Sequence, residues 1–130
     1  MAGAITISTL NNDTGVLATQ NGMNGIAKAW VNFDGTNTVT IRSSFNVSSI
    51  TDNGTGDYTV NFTNALPNTN YAITGFSRRD NDVGGVFSVI SAIQTNTKTT
   101  TACRIGSFFQ LSGSTSPFDS PEVDVIIFSN

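Results

Sequence analysis

The chain has 130 residues, a formal net charge of −3 and only 12% charged side chains, and this length predicts a single domain. The low charge together with 38% hydrophobic residues argues against a disordered chain. Six scattered Lys and Arg residues do not supply the basic groove that nucleic-acid binding requires, and no apolar run approaches the ~20 residues of a membrane span, so we expect neither nucleic acid nor membrane insertion.

The first 25 residues have the least regular pattern. Ala4–Leu10 alternates weakly, as a short strand or an extended arm would. The segment from Asn11 to Asn24 contains several Asn-Gly and Asn-Asp turn signals. We therefore predict an N-terminal arm or edge strand over residues 1–25, followed by a single domain over residues 26–130.

Hydrophobic and polar residues alternate with a period of two between residues 26 and 62, which is typical of half-buried strands. The predicted strands are Ile26–Phe33, Thr38–Phe45, Val47–Thr51 and Tyr58–Phe62, with a hairpin loop over Asp52–Asp57. Within the second strand, one face is predicted to carry Val39, Ile41, Ser43 and Phe45. The alternation slips by one residue at Ser48-Ser49, which predicts a β-bulge there.

Four further segments complete the predicted strands. They are Tyr71–Phe76, Val86–Ile93, Thr99–Phe109 and Glu122–Phe128. Val86–Ile93 is apolar on both faces, so it is predicted to be a central, well-covered strand. About eight strands with no amphipathic helix predict an all-β fold, an antiparallel two-layer β-sandwich, with a small β-barrel as the alternative.

The residues that usually carry catalysis are scarce. The chain has no histidine and one cysteine, which excludes Ser-His-Asp and Cys-His catalysis and thiolate zinc sites. That residue, Cys103, is predicted to be a small buried hydrophobe. Glu122 and Asp124 lie two apart and would share a face, either as a carboxylate pair or as the polar face of the last strand. We expect a protein that is not an enzyme and uses no metal or cofactor.

Some large apolar residues fall on the polar side of their strands. These off-phase residues are Trp30, Phe76, Ile126 and Phe128. Each is either covered by a loop of its own subunit or part of an interface with another subunit, since large exposed apolar patches usually mark contacts. The second explanation predicts a homo-oligomer.

The strings AKAWVNFDGTNTVTIRSSFNVSSITDNGTGDYTVNF and NALPNTNYAITG resemble a module found at the C-terminal ends of bacteriophage tail-fibre and related virion proteins. The upstream string NNDTGVLATQNGMNGI is similar to the segment that precedes that module, so the resemblance covers roughly residues 11–76. It implies a β-structured knob of a phage particle, oligomeric and most often trimeric, made in the host cytoplasm and located in the virion. The first residues lack the features of a signal peptide, which agrees with this location.

A tail-fibre knob would bind a cell-surface glycan or protein through exposed loops. The loop Ser77–Gly85 is our candidate, since Arg78, Arg79, Asp80 and Asp82 offer charge-assisted hydrogen bonds in a charge-poor chain. The same charges also fit a solvated turn with local ion pairs. A second hypothesis is a capsid decoration or tail-assembly protein whose partners are other virion proteins.

Overall fold

The structure is a computed structural model, and it describes residues 9–12, 15–18, 23–79, 87–92, 98–111 and 113–130. In chain order, the strands in these residues are β1 (Thr9–Asn12), β2 (Gly15–Ala18), β3 (Ala29–Asp34), β4 (Thr40–Phe45), β5 (Val47–Gly54), β6 (Asp57–Phe62), β7 (Ala72–Arg78), β8 (Phe87–Ala92), β9 (Ala102–Leu111), β10 (Ser114–Pro117) and β11 (Glu122–Phe128). The described strand pairs are antiparallel.

Two sheets form the predicted antiparallel β-sandwich. The front sheet has the order β4-β3-β11-β7, so its last strand in the chain lies in the middle, between β3 and β7. The back sheet contains β5, β6 and β9 as neighbours. β10 and β8 also pair with β9. β8 pairs with Ile105–Gln110 of β9, and this segment overlaps the parts of β9 that pair with β6 and with β10. β8 therefore lies along one edge of β9, and β6 and β10 lie along the other.

The core lies between the inner faces of the two sheets, where alternate residues of each strand point inward. The buried hydrophobic residues are Ala29, Val31, Phe33, Val47, Tyr58, Val60, Phe62, Leu66, Tyr71, Cys103, Ile105, Val123, Val125 and Ile127. The rings of Phe33 and Tyr58 meet edge to face at a centroid distance of 5.1 Å, which joins β3 to β6 across the sandwich. Burial of each large side chain of this set stabilises the fold by about 1.5–3 kcal/mol.

A β-bulge in β4 changes the predicted face of its residues. Asn32 of β3 pairs with Ser43 of β4, and the next residue, Phe33, pairs with Ile41, so Arg42 is an extra residue on β4. Ser43 and Phe45 consequently lie on the outer face of the front sheet, and Phe45 pairs directly with Trp30. The prediction that Val39, Ile41, Ser43 and Phe45 share one face is therefore wrong.

The irregularity predicted in β5 is confirmed, because its register with β6 shifts between Val47 and Ser49. The prediction of a central strand near Val86–Ile93 is wrong in one respect. Within the described residues β8 pairs with β9 alone and forms an edge of the back sheet. Apolar residues on both faces of the segment indicated a strand covered on both sides. β8 is an edge strand, but it lies close to β7, the edge strand of the front sheet.

Three short strands were not among the eight predicted. β10 is a four-residue strand ending at Pro117, in a segment predicted as a loop. β1 and β2 form a hairpin in which Asn12 pairs with Gly15. β1 begins within the segment Ala4–Leu10, which was predicted as a short strand or an extended arm, and residues 4–8 of that segment lie outside the described residues.

Candidate functional site

The outer face of the front sheet carries five large apolar side chains that remain exposed. They are Trp30 (37% exposed), Phe45 (53%), Phe76 (54%), Ile126 (38%) and Phe128 (37%), and we call this set the apolar face. Strand register explains the arrangement: Trp30 lies directly opposite Phe45 on one side and Ile126 on the other. Three neighbouring strands therefore contribute to one continuous apolar row.

All four off-phase residues predicted from the sequence thus lie on one surface. Phe76 and Phe128 flank the row, opposite Asp124 and Ala72 respectively. Sequence reasoning missed Phe45, because its alternation with Ile41 is regular and contains no sign of the extra residue at Arg42.

A shallow depression of about 440 Å³ lies within this surface, between Trp30 and Phe76. Its lining includes Gly75, whose missing side chain allows β7 to approach β11: a Cβ atom there would come within 2.0 Å of the Asp124 carbonyl oxygen. A polar pair also borders it, since Asn32 Nδ2 donates to Asp124 Oδ1 at 2.8 Å. The depression is therefore mostly apolar, with one polar pair already hydrogen-bonded within the chain.

Charged side chains line one end of the apolar face and are largely paired with each other. Arg78 Nε and Glu122 Oε2 lie 2.9 Å apart, and Arg42 Nη2 lies 2.9 Å from Asp34 Oδ2. The hydroxyl and backbone N–H of Thr36 donate to Asp34 and, with Arg42, lower the pKa of that carboxyl below its ordinary value of 3.8. This border is polar and, for these pairs, internally compensated.

On β5, β6 and the start of β9, the outer face of the back sheet has the opposite character. Asn61 Nδ2 donates to Ser49 Oγ at 3.1 Å and to Thr51 Oγ1 at 2.9 Å, so side chains of β5 and β6 bond across the strands. Arg104 makes a two-pronged contact with Asp57, at 2.8 and 2.5 Å, and this lowers the pKa of the Asp57 carboxyl. Hydroxyl, amide and paired charged groups of this kind are compatible with permanent contact with water.

The residues proposed from the loop Ser77–Gly85 do not form one described cluster. Arg78 is directed to Glu122 on the front sheet. The Arg79 guanidinium lies over the Phe109 ring of the back sheet, 4.1 Å from the centroid. Asp80 and Asp82 lie outside the described residues. The two arginines thus point toward different sheets and contact other residues of the same chain. Such contacts agree with the interpretation of this loop as a solvated turn with local ion pairs.

The groups considered for chemistry have structural partners. Glu122 and Asp124 share the outer face as predicted, but one pairs with Arg78 and the other accepts from Asn32. Cys103 is 1% exposed, and burial raises the pKa of its thiol to about 12. Within the described residues no group of three or more His, Cys, Asp and Glu side chains could hold a metal ion. The same part of the chain contains no helix that is long and apolar enough to cross a membrane.

Comparison with known proteins adds no relative to this description. No protein-family model, curated protein or solved structure matches the chain. Among the observations on the structure, the functional argument therefore depends on the contrast between the outer face of the front sheet and the polar outer face of β5, β6 and the start of β9. Of the surfaces in the described residues, the apolar face departs most from an ordinary solvated surface.

Proposed function

We propose that this protein is a non-catalytic structural protein of a bacteriophage particle, a tail-fibre-type knob that mediates attachment to the host surface. One observation carries the proposal beyond the sequence resemblance. The outer face of the front sheet exposes five large apolar side chains, whereas the outer face of β5, β6 and the start of β9 carries a hydrogen-bonded polar network. Such a contrast fits a module that is built into a larger assembly through one face and meets solvent with the other.

In this proposal the knob works as an oligomer, and the resemblance favours a trimer. The host surface, a glycan or a protein, is contacted by exposed loops of the module. A role in which the protein decorates the capsid or joins other tail proteins is the second candidate. It is favoured by the same apolar face, since a broad, shallow surface suits contact with another folded protein.

The position of the protein in the particle separates these two functions. Gold-labelled antibodies against the purified protein, viewed on phage particles by electron microscopy, are expected to bind at the tail tip. Labelling of the whole head would instead favour decoration. Absence of the protein from purified particles, judged by mass spectrometry, would reject both functions.

Host attachment can be tested with the protein alone. Fluorescently labelled protein is expected to bind host cells and to compete with phage adsorption. The Arg78→Ala/Arg79→Ala double variant tests the proposed loop, and Arg104→Ala, which removes an arginine from the polar outer face of the back sheet, is the matched control. Loss of binding in the double variant alone would support a contact at this loop, and equal binding by all three proteins would exclude it.

A further inference from the structure

We propose that the apolar face packs against the same face of a second copy of this chain. The inference specifies the partner of the face on which the proposed function rests. Its first support is the form of the surface: Phe45, Trp30 and Ile126 are direct cross-strand neighbours, so they make an unbroken apolar row across three strands. A row of this kind can lie along an identical row of another copy.

The size of the face is the second support. Four aromatic side chains of about 150–250 Å² each, exposed by roughly a third to a half, leave on the order of 400 Å² of aromatic surface in water. A stable interface buries about 800 Å² on each partner, with an apolar core inside a polar rim. The apolar face has the area of such a core, and the ion pairs at one end of it have the position of part of the rim.

The charge of the face is the third support, because it permits a second copy of this acidic chain as the partner. The charged residues on and around the front sheet's outer face are Lys28, Asp34, Arg42, Arg78, Glu122 and Asp124, which are three cations and three carboxylates. Their formal charge is zero, so the whole net charge of −3 belongs to the rest of the chain. Two copies that meet at this face thus avoid the repulsion that a uniformly acidic surface would cause.

The polar pair near the centre adds a desolvation cost to this packing, and its internal hydrogen bond reduces that cost. Asn32 and Asp124 already share a hydrogen bond, so burial of the face leaves fewer polar groups without a partner. The depression of about 440 Å³ beside Trp30 also gives room for a protruding ring, and the more than half-exposed ring of Phe45 is such a protrusion. A protrusion and a depression on one face are what a self-complementary interface requires.

Light scattering coupled to size exclusion measures the association directly, without phage or host. At concentrations of about 1–100 µM the protein is expected to have about twice its 13.7 kDa chain mass, because a face that packs on its own copy closes as a pair. A mass of three chains would instead support the trimer that the resemblance implies and would overturn packing of this face against itself. Phe45→Arg and Phe76→Arg should each weaken association about tenfold or more, since each places a charge in the core of the interface. Gln110→Arg, a change of an exposed residue on the back sheet, should leave it unaltered.

The single tryptophan gives a second measurement that needs no variant. Trp30 lies in the apolar row, so its emission is expected to shift to longer wavelength on dilution, over the range in which the mass falls to that of one chain. A monomeric mass at all concentrations would overturn the inference. So would association that persists equally in both front-face variants, or emission that stays constant while the mass changes. None of these results would by itself remove host binding or virion location, which the experiments on the proposed function measure separately.

Discussion

The phenol hydroxyl of Tyr58 donates a hydrogen bond to Asp119 Oδ1 across 2.9 Å, and the same carboxylate oxygen accepts the backbone N–H of Gly56 at 2.8 Å. Asp119 belongs to the connection that leaves the back sheet after β10 and enters the front sheet at β11. Tyr58 itself is fully buried against Phe33. This contact therefore holds the connection between β10 and β11 against the centre of the core.

Removal of the Tyr58 hydroxyl should destabilise the protein without disturbing the packing of the ring. We expect Tyr58→Phe to lower the free energy of unfolding by about 1 kcal/mol, because one hydrogen bond is lost and little volume changes. Asp119→Asn should cost less, since its amide oxygen still accepts both donors. Chemical denaturation of the three proteins measures this, and a Tyr58→Phe variant as stable as the parent would contradict it.

Neither tyrosine should ionise near the ordinary phenol pKa of 10.0 while the protein is folded. The chain has two tyrosines, Tyr58 and Tyr71, and burial raises the pKa of each well above that value, with the nearby Asp119 carboxylate adding to the effect at Tyr58. Because the folded protein holds these protons more tightly, its stability is complete below pH 10 and falls as pH rises beyond it. Tyrosinate absorbance should thus appear together with the loss of the folded circular dichroism signal. A gradual rise near pH 10 with the fold intact would refute the expectation.

Gly56 should tolerate alanine less well than another glycine with a similar backbone conformation. Gly56 has φ of 64° and Gly113 has φ of 84°, so both positions strain an alanine. A Cβ atom on Gly56 would also lie 2.4 Å from the Ser107 carbonyl oxygen, whereas one on Gly113 would meet nothing within 4 Å. We expect Gly56→Ala to lose at least about 1 kcal/mol more stability than Gly113→Ala. Thermal or urea unfolding of the pair measures this, and equal losses would show that the close approach is easily relieved.

The single thiol should be unreactive in the folded protein. Cys103 is 1% exposed, and burial raises its pKa to about 12, so both access and the thiolate fraction are small at neutral pH. A maleimide reagent is expected to label it only after denaturation. The variant Thr55→Cys, which adds a thiol in an exposed turn, should gain one rapidly labelled site as a control. Rapid labelling of the parent protein would mean that β9 opens readily.

Alternation in the sequence was sufficient for much of the fold because most strands have one buried face. Trp30 was placed outward and Phe33 inward from the period of two alone, and the structure has both in those positions. The slip at Ser48-Ser49 also revealed the irregularity in β5, since there the alternation itself is broken. These are properties of single strands and their immediate neighbours in the chain.

Features that depend on pairing between distant strands could not be obtained in this way. The bulge at Arg42 leaves the sequence alternation of β4 intact, so nothing local indicates that Phe45 faces outward. The edge position of β8 depends on which strands pair with β9, and an apolar segment alone does not specify that. The sequence therefore identified four residues of the apolar face as off-phase, but not that they share a surface or that Phe45 completes it.

The central position of β11 has a consequence for synthesis of the protein. Among the described strands, β3 and β7 share only β11 as a hydrogen-bonding partner, and β11 is translated about 90 residues after β3 begins. Until that strand leaves the ribosome, β3 and β7 cannot be joined in one sheet. The front sheet is therefore completed only after most of the chain has been made. A nascent chain that is released before Glu122 would expose the core of the sandwich and be a substrate for proteases. Only a chain that includes β11 can form the complete apolar face, because Ile126 and Phe128 lie on that strand.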